Sequence, residues 1–168
     1  MSAASTAERT AAQRTGTTIV IGLGNPILGD DRAGWLVADA VEAAGQRRGV
    51  VVERLAVGGL TLMEHLIGFE RAILVDAVVT GSDPPGTVRR LALDALPGGE
   101  AGHVDSSHDA TLRMALEAGR ALGASVPDAL EIVTIEAATV LEISEELTPE
   151  VALAVPVAAD VVLRLLDA

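Results

Sequence analysis

Uninterrupted runs of β-branched and aliphatic residues alternate along this chain with segments whose apolar positions recur at helical spacing. Thr17–Leu23 is continuous and β-branched, which predicts a strand buried on both faces. Ala33–Ala44 predicts a helix with Trp35, Leu36, Ala38, Val41 and Ala44 among its apolar positions. Val50–Ala56 predicts a second strand, closed by Gly58-Gly59, and Thr61–Ile67 a short helix. Arg71–Val79 carries the run Ala72-Ile73-Leu74-Val75, which ends at Asp76. The turn Gly81-Ser82-Asp83-Pro84-Pro85-Gly86 follows. Thr87–Leu93 predicts a strand near a sheet edge, because it carries Arg89 and Arg90. Leu96–Ser107 lacks periodicity and reads as an irregular loop. Asp109–Leu122 has a helical pattern, with Leu112, Leu116 and Leu122 on or near one stripe. Ala129–Glu136 is a further apolar strand. Thr148-Pro149-Glu150 starts a helix, with Thr as N-cap and Pro at the first helical position. That helix runs to about Leu166 and is expected to bend at Pro156.

Strands alternating with helices imply an α/β class: one domain with a mostly parallel central sheet and helices on both faces, a phosphorylase/hydrolase-like sandwich. Residues 17–168 form that domain, and residues 1–16, polar and without an apolar core, read as a disordered leader. Ligands of such sheets bind beyond the carboxyl ends of the strands. Asp31 follows the first strand, Asp76 ends the run Ala72–Val75, and His108 precedes a helix, so the topology allows these three to converge.

Composition narrows the choice. The 168 residues include no cysteine, which excludes disulfides, thiolate metal sites and cysteine nucleophiles and fits a cytoplasmic protein. The net charge of −12 argues against nucleic-acid binding, which rests on Lys and Arg neutralising phosphates. No segment offers the ~20 apolar residues needed to span a bilayer. Val151–Leu166 comes closest and is interrupted by Pro156, Asp160 and Arg164.

The first turn, Gly22-Leu23-Gly24-Asn25-Pro26-Ile27-Leu28-Gly29-Asp30-Asp31, begins like a dinucleotide fingerprint. Ile27, however, occupies the third glycine position, and two carboxylates would repel a pyrophosphate. They suit a metal or a proton. An Asp before a helix ordinarily caps it, and two adjacent carboxylates are not both needed for that. The expected division is Asp30 structural and Asp31 functional. Asp76 interrupts an apolar run, so its carboxylate needs a partner, a wet cleft or a metal. Ser106-Ser107-His108-Asp109 could simply start a helix. His65 falls within a predicted helix and His103 among glycines. Two carboxylates and one imidazole suit a divalent metal without selecting zinc, nickel or iron. His-Glu-x-x-His, Gly-x-Ser-x-Gly and P-loop patterns are absent from the sequence.

Five segments occur in register with one known family: Gly22-Leu23-Gly24-Asn25-Pro26…Gly29-Asp30-Asp31, Asp76-Ala77-Val78, Pro85-Gly86-Thr87-Val88, Ser106-Ser107-His108-Asp109 and Leu147-Thr148-Pro149-Glu150-Val151. The chain resembles the hydrogenase maturation proteases over nearly all of Thr17–Leu166. The resemblance implies an endopeptidase that removes a C-terminal extension from the large-subunit precursor of a nickel–iron hydrogenase after nickel insertion. It implies that Asp31, Asp76 and His108 are both the catalytic and the metal-contacting residues, and that the nickel is supplied by the precursor. Many family members have glycine where this chain has Arg32, and Asp-Gly-Gly-Thr where it has Val57-Gly58-Gly59-Leu60. Two alternatives stand beside this reading. One is a non-catalytic, nickel-sensing module of the same fold. The other is a peptidyl-tRNA hydrolase, which shares Gly-Leu-Gly-Asn-Pro but continues with residues this chain lacks.

Overall fold

The computed structural model describes residues 17–93 and 107–168, with side chains in the second segment from residue 112 onward. The disordered leader expected at residues 1–16 and the greater part of the loop expected at Leu96–Ser107, including His103, lie outside the described residues. The strands are β1 (Thr18–Leu23), β2 (Val50–Leu55), β3 (Arg71–Val78), β4 (Val88–Ala92) and β5 (Ala129–Glu136). The helices are α1 (Ala33–Ala43), α2 (Gly59–Leu66), α3 (Ser107–Ala121) and α4 (Pro149–Leu166), and a 3-10 turn spans Gly29–Arg32. The sheet order is β2-β1-β3-β5-β4. β1, β2, β3 and β5 are mutually parallel, and β4 pairs antiparallel with β5 at the edge, as its arginines predict.

Alternation along the strands builds two cores. Ile19, Ile21, Ala72, Leu74, Leu130 and Ile132 pack with α2 and α3 on one face. Val20, Ile73, Val75, Val133 and Ile135 pack with α1 and α4 on the other. The α/β sandwich read from the sequence is therefore the fold. Several boundaries differ from those expected. α2 starts two residues early, at Gly59. β3 continues past Asp76 to Val78, because Asp76, Ala77 and Val78 all keep their pairing with β5. α3 ends at Ala121, so Leu122 leaves the apolar stripe and is 88% exposed, while Leu112 and Leu116 are buried. α4 keeps its expected span, Pro149–Leu166, with Pro156 inside the helix.

The approach of α1 to the sheet requires glycine. A Cβ on Gly22 would lie 2.2 Å from the carbonyl oxygen of Gly34. A Cβ on Gly34 would lie 2.2 Å from the carbonyl of Leu23 and 2.6 Å from that of Val75. The helix start thus rests directly on the ends of β1 and β3. Gly34 does the close-packing work that a dinucleotide fingerprint assigns to its third glycine, so Ile27 at that position costs the fold nothing. Gly34→Ala is expected to lower stability by ~3 kcal/mol or more, since only backbone atoms are there to yield. Gly45→Ala, at a positive φ but with open space around it, is expected to cost ~1–2 kcal/mol. Chemical denaturation of the two variants measures the difference.

Candidate functional site

β1 connects to β2 on one side of the sheet and β3 lies on the other, so the crevice between the carboxyl ends of β1 and β3 is the topological switch point. Both candidate acids border it. Asp31 stands in the 3-10 turn that follows β1, and this turn packs against β3. Asp76 is the sixth residue of β3, pairs in register with Thr134, and is 2% exposed. Parity with Ala72 and Leu74 places Asp76 on the α2/α3 face.

The turn itself is tightly wound. Gly24 has φ +131°, and a Cβ there would lie 1.8 Å from the carbonyl oxygen of Asp31. With the backbone folded back this closely, the Asn25 N–H donates to Asp31 Oδ2 at 2.7 Å. The half-buried Asp31 carboxylate is therefore tied back onto the turn that follows β1.

Asp30 does something different from its neighbour and from the helix cap expected of it. It is 1% exposed. Its Oδ1 accepts from the Thr148 N–H at 2.7 Å. Its Oδ2 accepts from the Ala138 N–H and the Thr148 hydroxyl, both at 3.0 Å. Thr148 has the extended backbone of an N-cap, but its hydroxyl serves Asp30 and makes no cap hydrogen bond to α4. The segment between β5 and α4 is thus clamped onto the first turn. Gly29 N–H donates to Ser144 O at 2.7 Å, Ser144 N–H to Ile27 O at 3.1 Å, and Arg32 Nη1 to Glu145 O at 2.8 Å. Arg32 is one of the ties.

The other side of the crevice is also pinned. The buried Glu136 carboxylate accepts from Thr80 N–H, Thr80 Oγ1 and Gly81 N–H at 2.8–2.9 Å. Arg89 grips Asp83 through two hydrogen bonds of 2.5 and 2.6 Å, and this holds the Asp83 carboxyl below its ordinary range.

His108 is the second residue of α3. α3 leads into β5, which is parallel to β3, so its first turn belongs to the edge where β3 ends, on the face Asp76 occupies. The His108 side chain lies outside the described residues. Among the described residues, no three of His, Asp and Glu form a metal-holding group. His65 stands apart from the crevice's acids, with Nδ1 2.8 Å from Glu53 Oε2. Val57 packs into the α2/α3 core, while Leu60 is 63% exposed.

Sequence reasoning passed over Thr134. It is 4% exposed, lies beside Asp76 on the same face, and is a buried polar residue in an otherwise apolar surface. The signal was a hydroxyl in the run Ile132-Val133-Thr134-Ile135, which β propensity alone accounts for.

Asp30→Ala removes the acceptor of three hydrogen bonds from a buried site. It is expected to cost ~2–4 kcal/mol, a fall in Tm of roughly 5–15 °C for a domain of this size, measured by scanning calorimetry.

Comparison with known proteins adds a family to this geometry. The hydrogenase maturation protease (HycI) profile matches residues 37–165, a span that includes Asp76 and His108 and begins after Asp31. The fold is similar to that of the hydrogenase maturating endopeptidase HybD from E. coli, with 25% identity, 90% of this chain and 92% of that one covered, and a TM-score of 0.74. A hydrogenase 2 maturation peptidase from Thaumarchaeota archaeon SCGC_AB-539-E09 is 25% identical, with 89% and 97% covered and a TM-score of 0.64. HybD from Thermococcus kodakarensis shares the fold at 23% identity, with 89% and 98% covered and a TM-score of 0.64. A search of curated protein sequences returns no match. Among the described residues, no helix is long and apolar enough to cross a membrane.

Proposed function

The chain belongs to the hydrogenase maturation protease family, and on that premise we propose that it removes the C-terminal extension of a nickel-loaded hydrogenase large-subunit precursor, reading the precursor's nickel through Asp31, Asp76 and His108. The observation that carries this is the placement of two carboxylates at the switch point of the sheet. One is half-buried in the turn that follows β1 and one is buried on the face that α3 covers. The tie between the first turn and the segment before α4 is made by the neighbouring Asp30.

The chemistry follows from the donor types. Carboxylate and imidazole are suitable contacts for a divalent first-row metal. The chain has no cysteine, so the sulfur ligands of the nickel belong to the precursor. The metal arrives with the substrate and serves as docking point and as test of loading. Contact with it sets the scissile segment across the ends of β1 and β3. The pinned 79–83 and 138–148 segments give that crevice rigid rims, which holds reacting groups in one geometry.

Asp31→Asn, Asp76→Asn and His108→Ala are each expected to reduce processing by 100-fold or more, on the order of what single catalytic groups contribute, with Tm little changed for Asp31→Asn. The assay incubates full-length protein with nickel-loaded and with nickel-free precursor and follows the mass of the precursor C-terminus. Loss of the extension only from the loaded form is the expected result. Equal cutting of both forms would refute metal reading. Tight binding of the loaded form without cutting would replace the protease by a nickel-sensing module.

A further inference from the structure

The 138–148 segment presents its apolar side chains to solvent. Leu141 is 86% exposed and Ile143 81%, and Ile27 of the first turn is 53% exposed. They belong to one surface. Ser144 N–H donates to Ile27 O, Leu28 and Ser144 form a parallel bridge, and a Cβ on Gly29 would lie 3.5 Å from Glu142 O. Exposure of this kind is ordinary for a solvated loop with freedom to move. Here both ends of the segment are fixed by Asp30 through Ala138 and Thr148, and its middle by Gly29, Ile27 and Arg32. A rigid segment holding two large aliphatic side chains in water has already paid the ordering cost that binding otherwise incurs, and exposed apolar patches rimmed by polar residues mark protein interaction sites.

The rim identifies the partner's chemistry. Glu142, Glu145 and Glu146 are exposed around the aliphatic pair. A cavity of about 200 Å³ beside it is lined by Asp30, Thr139, Glu142, Ser144 and Glu146, among others. No Lys or Arg lines that cavity. The matching surface is an apolar patch carrying a Lys or Arg, whose cationic head enters the cavity while its neighbours cover Leu141 and Ile143. Charge of this sign also speeds encounter. The face continues directly into the site, since Asp31 follows Asp30 in the same 3-10 turn.

We propose that the Ile27/Leu141/Ile143 face with its acidic rim is the docking surface for the folded body of the hydrogenase large-subunit precursor, which meets it with an apolar patch and a basic side chain. This rests on the function proposed above. It assigns recognition of the protein to the β5–α4 segment and leaves recognition of the metal to the crevice.

The test separates binding from cutting. Full-length Asp31→Asn protein, in which the precursor stays intact, is titrated with nickel-loaded precursor by calorimetry. The same titration is run with Leu141→Ser/Ile143→Ser added, and with Glu142→Lys/Glu146→Lys added. Each added pair is expected to weaken binding by about tenfold or more, as for central interface residues, with Tm unchanged. The otherwise wild-type protein carrying Leu141→Ser/Ile143→Ser is expected to show a raised KM with kcat near the unsubstituted value. Unchanged affinity in both paired variants overturns the docking surface while leaving the protease reading intact. A precursor that binds through this face but is never cut keeps the docking surface and removes the protease reading. A dimer of this chain that dissociates on Leu141→Ser/Ile143→Ser, with precursor affinity unaltered, assigns the face to a second copy and overturns the proposal.

Discussion

The buried carboxylate of Asp30 is the interaction on which the site depends. An ionised group removed from water is costly unless hydrogen bonds replace its solvation. Asp30 receives three, all from the segment between β5 and α4. The donors are far away in sequence, so this one side chain closes the first turn against the last third of the domain. The consequence for Asp31 is geometric. In a 3-10 turn, successive residues are about 120° apart. Fixing Asp30 inward therefore turns Asp31 to a different side of the turn, where the Asn25 N–H steadies it. Two adjacent acids with opposite fates are the expected result of a tight turn anchored through one of them.

Glycine sets where that turn sits. Gly34 allows the start of α1 to lie against the carbonyls of Leu23 and Val75, the last residue of β1 and the residue before Asp76. Any side chain there would lift α1 from the ends of β1 and β3 and separate the two acids' supports. Gly24 allows the backbone of Asp31 to fold onto the turn. The crevice is thus shaped by backbone contact, the least compliant kind of packing, and the side chains around it inherit that precision.

Local pattern exposed the architecture because its causes are local. Continuous aliphatic runs such as Ile19–Ile21 and Ala72–Val75 have to be buried on both faces, and the arginines of β4 require an edge. The placement of Asp31 and Asp76 near the strand ends was legible, because Asp31 follows the glycine turn after β1 and Asp76 interrupts an aliphatic run of β3. What stayed hidden depends on residues distant in sequence. Asp30 looked like a cap, because the Ala138 and Thr148 donors over a hundred residues away cannot be seen from the turn. Arg32 looked like a departure, because its acceptor is the carbonyl of Glu145. Leu122 looked like core, because helical spacing continues past the point where Gly123, at φ +82°, ends the helix. Thr134 is conspicuous only once the register sets it beside Asp76.

The donor chemistry of the site explains how a protein can read a metal without taking it. On the proposed function, the nickel sits among the precursor's thiolates, which are soft donors and hold a late first-row ion more firmly than carboxylates do. This chain contributes no thiolate. One acid sits half-exposed in the 3-10 turn and the other on a strand, two separate elements rather than a closed cage. Such an arrangement adds contacts to an ion that is already ligated and competes poorly for a free one. The net charge of −12 acts over long range and is screened once salt is present. Selectivity for the loaded precursor therefore requires short-range agreement between two surfaces, the metal at the crevice and the protein body beside it. The Asp30 clamp holds those two surfaces in fixed relation, because the same turn belongs to both.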